Sequence, residues 1–287
     1  MKCDLHVHTL HSGMCTVPVL DRICRESYND PDEVYETLKR RGMGLVTVTD
    51  HDSIDAVEPL RRHHDFFLSE EVTCTMASGT GLHVGVYDIA ERDHIELQRR
   101  RDDLPSLIAY LDQRRLLYSV NHVFSSLTGP RNDADFEDFV QCFRAVETLN
   151  GQMLARANRH AAAFAARNGK SIVAGSDAHT LAYLGKTYTE VRGARNRHEF
   201  LEGLKLGRAT AAGESGNYWK LTCAVWRIGR EMIREKNWTL LLAPLMALVP
   251  MITLANFAME AAFADKWGRR TAKLMSGVPA CAFERAG

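Results

Sequence analysis

The 287-residue chain has no excess of either charge: Lys plus Arg and Asp plus Glu stand at 36 each. That balance removes the broad positive field on which non-specific nucleic-acid binding rests, leaving only local patches for such a partner. CxxC pairs are missing as well. The seven cysteines (Cys3, Cys15, Cys24, Cys74, Cys142, Cys223 and Cys281) are scattered and odd in number. A disulfide framework and a thiolate zinc knuckle are thereby excluded, and buried or free thiols in a reducing compartment are expected. Met1-Lys2-Cys3-Asp4-Leu5-His6 offers no apolar run of a secretory leader, so a cytoplasmic location is expected. Internal repeats, low-complexity tracts, GxGxxG, HExxH and GxSxG are all lacking. Leu184-Gly185-Lys186-Thr187 matches the end of a P-loop, but Thr180 stands where the first glycine must be.

What is present is ordinary for a globular protein, 45% hydrophobic and 25% charged. The length suits one large barrel domain, alone or with an appendage. Short β-branched and apolar runs at 3–8, 45–51, 66–74, 82–88, 116–122, 145–149, 172–177 and 188–191 read as strands. Helical periodicity covers 32–41, 93–115, 133–144, 153–168 and 197–207. Such alternation is the βα rhythm of a parallel sheet, which a barrel closes naturally. The rhythm stops after Gly207-Arg208-Ala209, placing a catalytic domain at 1–215 and a helical extension at 216–287. In that extension, 238–259 carries no charged residue and reaches the roughly 20 residues that cross a bilayer. Pro244, Pro250 and Asn256 interrupt it, and basic residues flank both ends. An interfacial or re-entrant hairpin on the inner face of a membrane fits these features, the alternative being an apolar hairpin packed on the barrel or in a dimer contact.

The strongest chemical signal is ionisable residues at strand ends, where barrel enzymes build their sites. His6 and His8 alternate on the first run, so a period of two points both imidazoles to one side. Asp50-His51-Asp52 closes the second run, Glu71 lies in the third, His83 in the fourth and His122 in the fifth, while Asp177 and His179 close the seventh. Mixed imidazole and carboxylate ligands without thiolate suit Mn²⁺, Zn²⁺ or Fe²⁺.

Asp4-Leu5-His6-Val7-His8-Thr9, Thr49-Asp50-His51-Asp52, Asn121-His122 and Gly175-Ser176-Asp177-Ala178-His179, in this order, resemble the motifs of the PHP (polymerase and histidinol phosphatase) superfamily from about residue 3 to residue 213. Ser69-Glu70-Glu71-Val72-Thr73, Leu149-Asn150-Gly151 and Lys186-Thr187-Tyr188-Thr189-Glu190-Val191 extend the likeness to a stand-alone subgroup of metal-dependent phosphoesterases. The resemblance implies a distorted (β/α)₇ barrel and hydrolysis of phosphate esters with two or three divalent ions. It places His6, His8, Glu71 and Asp177 around one ion, Glu71 bridging to a second held by His83 and His122, and His51 and His179 at a third. The family's third-site aspartate falls on Gly13, so the third ion is expected to be weaker, differently ligated or absent, with His11, Cys15, Asp50 or Asp52 as substitutes.

Beyond the ligands, Glu71, Asp50 and His179 are the candidate catalytic residues, Asp50 as a second-shell acceptor or proton carrier. Asn150, Arg156 and Lys186 are candidate substrate contacts, with Arg131 a further phosphate clamp; Asn150 before Gly151 equally suggests a turn, and for the three cations a solvated surface charge is the first reading. Phe136, Phe139 and Phe143 read as a core face. The expected activity is hydrolysis of a small phosphometabolite, a nucleotide or an oligonucleotide end. The alternatives are another metal-barrel hydrolase of amidohydrolase type and a metal-binding scaffold or sensor at a membrane.

Overall fold

A computed structural model describes residues 1–276; Cys281 lies outside them, and the other six cysteines are free thiols. The architecture is mixed α/β. Its elements run β1 (Lys2–Cys3), α1 (Pro31–Arg40), α2 (Val57–Leu60), β2 (Ser69–Thr75), β3 (Gly81–Tyr87), α3 (Glu91–Arg100), α4 (Leu104–Arg114) and β4 (Leu117–Val120), then α5 (Asp133–Cys142), β5 (Ala145–Asn150), α6 (Ala155–Arg167), β6 (Ser171–Gly175), β7 (Thr187–Val191), α7 (Arg197–Lys205) and β8 (Ala209–Gly213). After β8 come α8 (Tyr218–Glu235), a tight helical segment at Asn237–Leu248, and α9 (Val249–Ser276).

The ladders form two sheets instead of one continuous parallel barrel. One has the order β1-β7-β8 and is antiparallel; the other has the order β2-β3-β4-β5-β6. Its β2–β3 and β3–β4 pairs are antiparallel, and only β4–β5 and β5–β6 are parallel. Residues 76–80 are too few for a crossover, so β2 and β3 join as a hairpin, with Met76 donating to Thr80 O at 2.9 Å. Where helices α5 and α6 intervene, the strands run parallel. Two expected strands are mostly not strands. Segments 4–8 and 45–51 instead touch their neighbours through single bridges, Val7–Ala178, Val46–Phe66 and His51–Glu71. Thr49 N donates to Val7 O at 2.8 Å and Asp177 N to His6 O at 2.7 Å, so the segments carrying His6, His51 and Asp177 still lie side by side.

Local chemistry explains several boundaries. Asp30 caps α1 by accepting from Asp32 N and Glu33 N, with Pro31 at the first turn. The single long helix expected at 93–115 is split, because Asp103 caps a new start and Pro105 sits in its first turn. Strand β8 was not expected: Ala209-Thr210-Ala211-Ala212-Gly213 has low strand propensity, and its ladder with β7 overrides that. Gly175 permits a close approach to the first segment, since a Cβ there would meet His6 N at 2.3 Å.

The largest core cluster packs β2–β5 against α3–α6 and contains Phe136, Phe139, Phe143 and Phe164. Ala264 and Trp267 of α9 belong to the same cluster, the Trp267 ring stacking on Phe136 at 5.3 Å. Glu260 accepts from Ser125 Oγ at 2.8 Å, and Arg270 donates to Asp133 at 2.7 Å. The start of the extension differs. Asn237–Leu274 is long and apolar enough to cross a membrane, and its most apolar stretch is only 11% buried.

Candidate metal centre

The centre gathers where the segments after β1 and β6 meet β2, β3, β5 and the end of β4. Glu71 on β2 is fully buried and lies diagonally across the ladder from His83, with Gly85 directly opposite. Its two oxygens face two sets of imidazoles. Oε2 lies 3.0 Å from His6 Nε2, 3.5 Å from His8 Nε2 and 3.3 Å from His51 Nδ1. Oε1 lies 3.5 Å from His83 Nδ1 and 3.3 Å from His122 Nε2, and accepts from Asn121 Nδ2 at 2.8 Å. Asp177 Oδ1 faces His8 Nε2 at 3.2 Å and His6 Nε2 at 3.5 Å. His122 (φ 31°) and Asp177 (φ 51°) both hold left-handed backbone at strand ends, strain of the kind that concentrates at functional sites.

Four overlapping ligand groups result: His6, His8 and Asp177; His6, Glu71 and His122; His51, Glu71 and His83; and His8, His51 and His179. Every residue expected as a metal ligand falls within one of them. His51 bridges two groups, which the expectation of a purely third-site role did not include.

The fit to cations shows in the nitrogens. His8 Nε2, His51 Nδ1 and His179 Nε2 are buried with no hydrogen-bond partner, and all three belong to the last two groups. The opposite nitrogens of two of these rings are engaged, His8 Nδ1 with Ser12 Oγ at 2.8 Å and His179 Nδ1 with Asp177 O at 3.0 Å; His6 Nδ1 is held by Glu147 Oε1 at 2.7 Å. A ring anchored at one nitrogen and orphaned at the other is arranged as a metal ligand. Burial works against ionised Glu71 and Asp177, yet the surrounding imidazoles hold both well below the usual carboxylate range. Burial and neighbouring imidazoles push His8 down to about 3, neutral as ligation requires, whereas the carboxylates raise His6, His51 and His179 against burial.

Near Gly13 another carboxylate faces two of the imidazoles from across a turn, although it joins none of the four groups. Met14 and Arg25 form an antiparallel bridge, and Glu26 N donates to Gly13 O at 3.1 Å. Glu26 thereby sets Oε1 3.3 Å from His179 Nε2 and Oε2 3.5 Å from His51 Nε2. Burial would raise this carboxyl, but the two imidazoles hold it far below its ordinary value. The expected substitutes stand elsewhere: Asp52 accepts from Thr73 N and pairs with Arg101, and neither His11 nor Cys15 joins a ligand group among the described residues.

Asp50 is fully buried, accepting from Thr9 N and Thr9 Oγ1 at 2.6 Å and from Ser12 Oγ at 2.8 Å. It steadies Ser12 against His8 and does not reach the cluster itself. Asn150 donates from Nδ2 to Glu147 Oε2 (2.9 Å) and Asp177 Oδ2 (3.0 Å), and its Oδ1 takes Gln152 N and Met153 N. Those bonds spend it on holding ligands, leaving little for substrate. Arg156 is drawn away by Asp265 of α9 at 2.7 Å, and Lys186 leans on Glu214 at 3.7 Å and the Tyr183 ring. Arg131 is buried on Gly81 O and Thr128 Oγ1. Besides Glu26, Glu147 escaped the sequence reading; its only signal there is a lone carboxylate in the apolar run Ala145-Val146-Glu147.

Comparison with known proteins places this geometry in context. A PHP-associated family model matches residues 155–209. No curated protein matches the chain. Among solved structures, PsfC from Pseudomonas syringae PB-5123 superposes with a TM-score of 0.56 at 17% identity, covering 79% of this chain and 97% of its own. The lesion-specific endonuclease EndoQ from Pyrococcus furiosus follows at TM-score 0.49 and 17% identity, covering 74% of this chain and 58% of its own. An amidohydrolase from Chromobacterium violaceum, with bound sulfate and no metal, stands at 0.48 and 14%, covering 73% and 98%. At such identities the likeness to PsfC is one of fold.

Proposed function

We propose that this chain, which a PHP-associated family model matches over residues 155–209, belongs to the PHP superfamily and is a divalent-metal-dependent phosphoesterase. One observation carries the reading: a buried carboxylate, Glu71, turns its two oxygens toward two imidazole sets, beside three buried ring nitrogens that lack hydrogen-bond partners. His6, His8, Glu71 and Asp177 would hold one ion, Glu71 with His83 and His122 a second, and His51, His179 and Glu26 a third; Mn²⁺, Zn²⁺ and Fe²⁺ suit these donors. Such ions, when bound, neutralise the anionic oxygens of a phosphate ester and make water acidic enough to attack at neutral pH.

The protein's own part is positioning. Glu147 fixes the His6 ring, the Asp50–Ser12 pair fixes His8, and Asn150 fixes Asp177. With these three ligands anchored from behind, that part of the cluster need not reorganise when charge develops on the substrate. His179 lines a cleft beside the cluster, so an ion that it held would face that cleft. Phosphometabolites, nucleotides and oligonucleotide ends are the substrate classes proposed.

The test pairs elemental analysis of purified protein with hydrolysis of p-nitrophenyl phosphate and a nucleotide panel under Mn²⁺ or Zn²⁺. Metal-dependent phosphate release that disappears in Glu71→Gln, with the far-UV spectrum retained, supports the reading. Turnover of amides in place of phosphate esters would move the chain to amidohydrolase chemistry. Bound metal without any turnover would leave the scaffold reading.

A further inference from the structure

A cavity of about 370 Å³ lies between His179 and one face of α8. Arg227, Arg230 and Arg234 line it, spaced three and four residues apart so that they share that face. Arg230 and Arg234 both lean on Glu231, at 3.2 and 2.9 Å. Arg227 has neither an ion pair nor a hydrogen bond among the described residues. A ligand residue of the metal centre thus shares a cleft with three guanidinium groups, one of them unpaired, and guanidinium forks suit phosphate oxygens.

The far end of the same helix leads into the apolar segment. Glu235 takes Arg25 Nε at 2.9 Å, and Lys236 donates to Ile23 O at 3.0 Å. These contacts tie the end of α8 to the turn that carries Glu26, so the apolar segment departs beside the mouth of the metal centre. From Trp238 onward, Leu240, Leu241, Leu245, Met251 and Ile252 are each more than half exposed. A continuous apolar surface of this kind marks an interaction face.

Charge decides what covers it. The acidic groups flanking the apolar stretch are spent inside the molecule: Glu231 on Arg230 and Arg234, Glu235 on Arg25, Glu260 on Ser125, and Asp265 on Arg156. Among the described residues Arg227 and Arg269 remain without such partners, and Lys266 meets the Trp267 ring. A second copy would bring the same positive charges against this face and be repelled, whereas an anionic bilayer complements it. Trp238, between the basic turn and the apolar run, has the amphipathic ring that settles at headgroup level.

We propose that the 238–259 face lies on an anionic membrane and that the substrate is a lipid phosphate monoester, its phosphate drawn into the cleft by Arg227, Arg230 and Arg234. This deepens, and rests on, the phosphoesterase reading. In the step, a water oxygen bonds to phosphorus, the bond from phosphorus to the lipid oxygen breaks, and that oxygen takes a proton. Phosphatidic acid would yield diacylglycerol and inorganic phosphate.

The experiment uses the metal-loaded full chain with phosphatidylcholine vesicles, with and without phosphatidic acid, and glycerol 3-phosphate as the soluble comparison. The wild type is expected to sediment with phosphatidic acid vesicles and to release phosphate from them faster than from glycerol 3-phosphate. Leu241→Glu with Leu245→Glu, both at exposed positions, should cut vesicle partitioning at least about tenfold and lower the ratio of lipid to soluble-ester turnover. Arg227→Ala should raise KM for phosphatidic acid about tenfold while changing kcat less. Glycerol 3-phosphate turnover without vesicle binding, a stable dimer that ignores vesicles, or vesicle binding with phosphatidic acid left intact would each overturn the inference and leave the phosphoesterase reading standing. Failure to cleave any phosphate ester with metals bound would remove both.

Discussion

Replacing Glu26 by Gln should cost the protein one ion of three and leave the other two in place. Oε1 and Oε2 of Glu26 stand 3.3 and 3.5 Å from the nitrogens of His179 and His51, so the carboxylate spans the gap between these two rings. Two unit charges at about 4 Å interact by roughly 4 kcal/mol at an effective dielectric constant of about 20, and a divalent ion doubles that. Glu26 is 24% exposed, which screens the interaction, and the amide oxygen of Gln still donates a lone pair. About 1.5–3 kcal/mol of net loss remains, or about ten- to a hundredfold weaker binding of that ion.

The assay is elemental analysis after dialysis against a weak chelator, with calorimetric titration of Mn²⁺ or Zn²⁺ into apo-protein. Wild type should show three ions and Glu26→Gln two, because Glu71, His83, His122, His6 and Asp177 make no contact with Glu26. Gly13→Asp in the Glu26→Gln background supplies the complement. A Cβ at Gly13 meets nothing within 4 Å, although φ is +85°, a strain that Asp tolerates better than most residues. Partial recovery of the third ion is expected. Unchanged stoichiometry and affinity in Glu26→Gln would refute the reasoning and reduce Glu26 to an ion pair with protonated histidines.

Glu147→Gln keeps the shape but weakens the anchor behind His6 Nδ1; metal affinity should fall about ten- to a hundredfold with the fold intact, as read by titration and circular dichroism. Trp267→Ala removes the ring stacked on Phe136 and should destabilise by about 3–5 kcal/mol in denaturant unfolding, far more than any substitution on the exposed 238–259 face. A near-neutral result would mean that α9 is not held by the core. Asp93 accepts from Ala90 N, Tyr110 Oη and Arg114 Nε, which outweigh burial and hold its pKa below the ordinary value. A carboxyl depressed in the folded state contributes stability above its unfolded pKa of about 4 and loses it as pH falls through the folded value. Asp93→Asn should therefore lower Tm at neutral pH and flatten its fall in acid, and an unaltered acid limb would count against this.

The candidate ligands were legible because they obey local rules: His6 and His8, like Asp177 and His179, are spaced by two in sequence, and Glu71, His83 and His122 sit in or at the ends of β-rich runs. Glu26 obeys no such rule. It reaches the cluster through a bridge between Met14 and Arg25 and a hydrogen bond to Gly13, and an unpaired carboxylate thirteen positions from a missing one carries no periodicity to betray it. Glu147 was hidden differently, since an inward-facing acid in a buried strand makes sense only once His6 lies beside it. Sheet direction was misjudged at β2–β3 because helical and apolar rhythm is blind to a five-residue link, whose length alone forbids the parallel crossover.

The C-terminal extension shows the limit most clearly. Composition identifies the uncharged run from Trp238 to Met259 but is silent on the residues that follow, which hold Ala264 and Trp267 in the main core. The later half of α9 is paired by Glu260, Asp265 and Arg270 to the loop after β4 and to helices α5 and α6, and its earlier half is mostly exposed. A helix docked at one end and exposed at the other follows from the side-chain pairs and could not have been read from hydropathy.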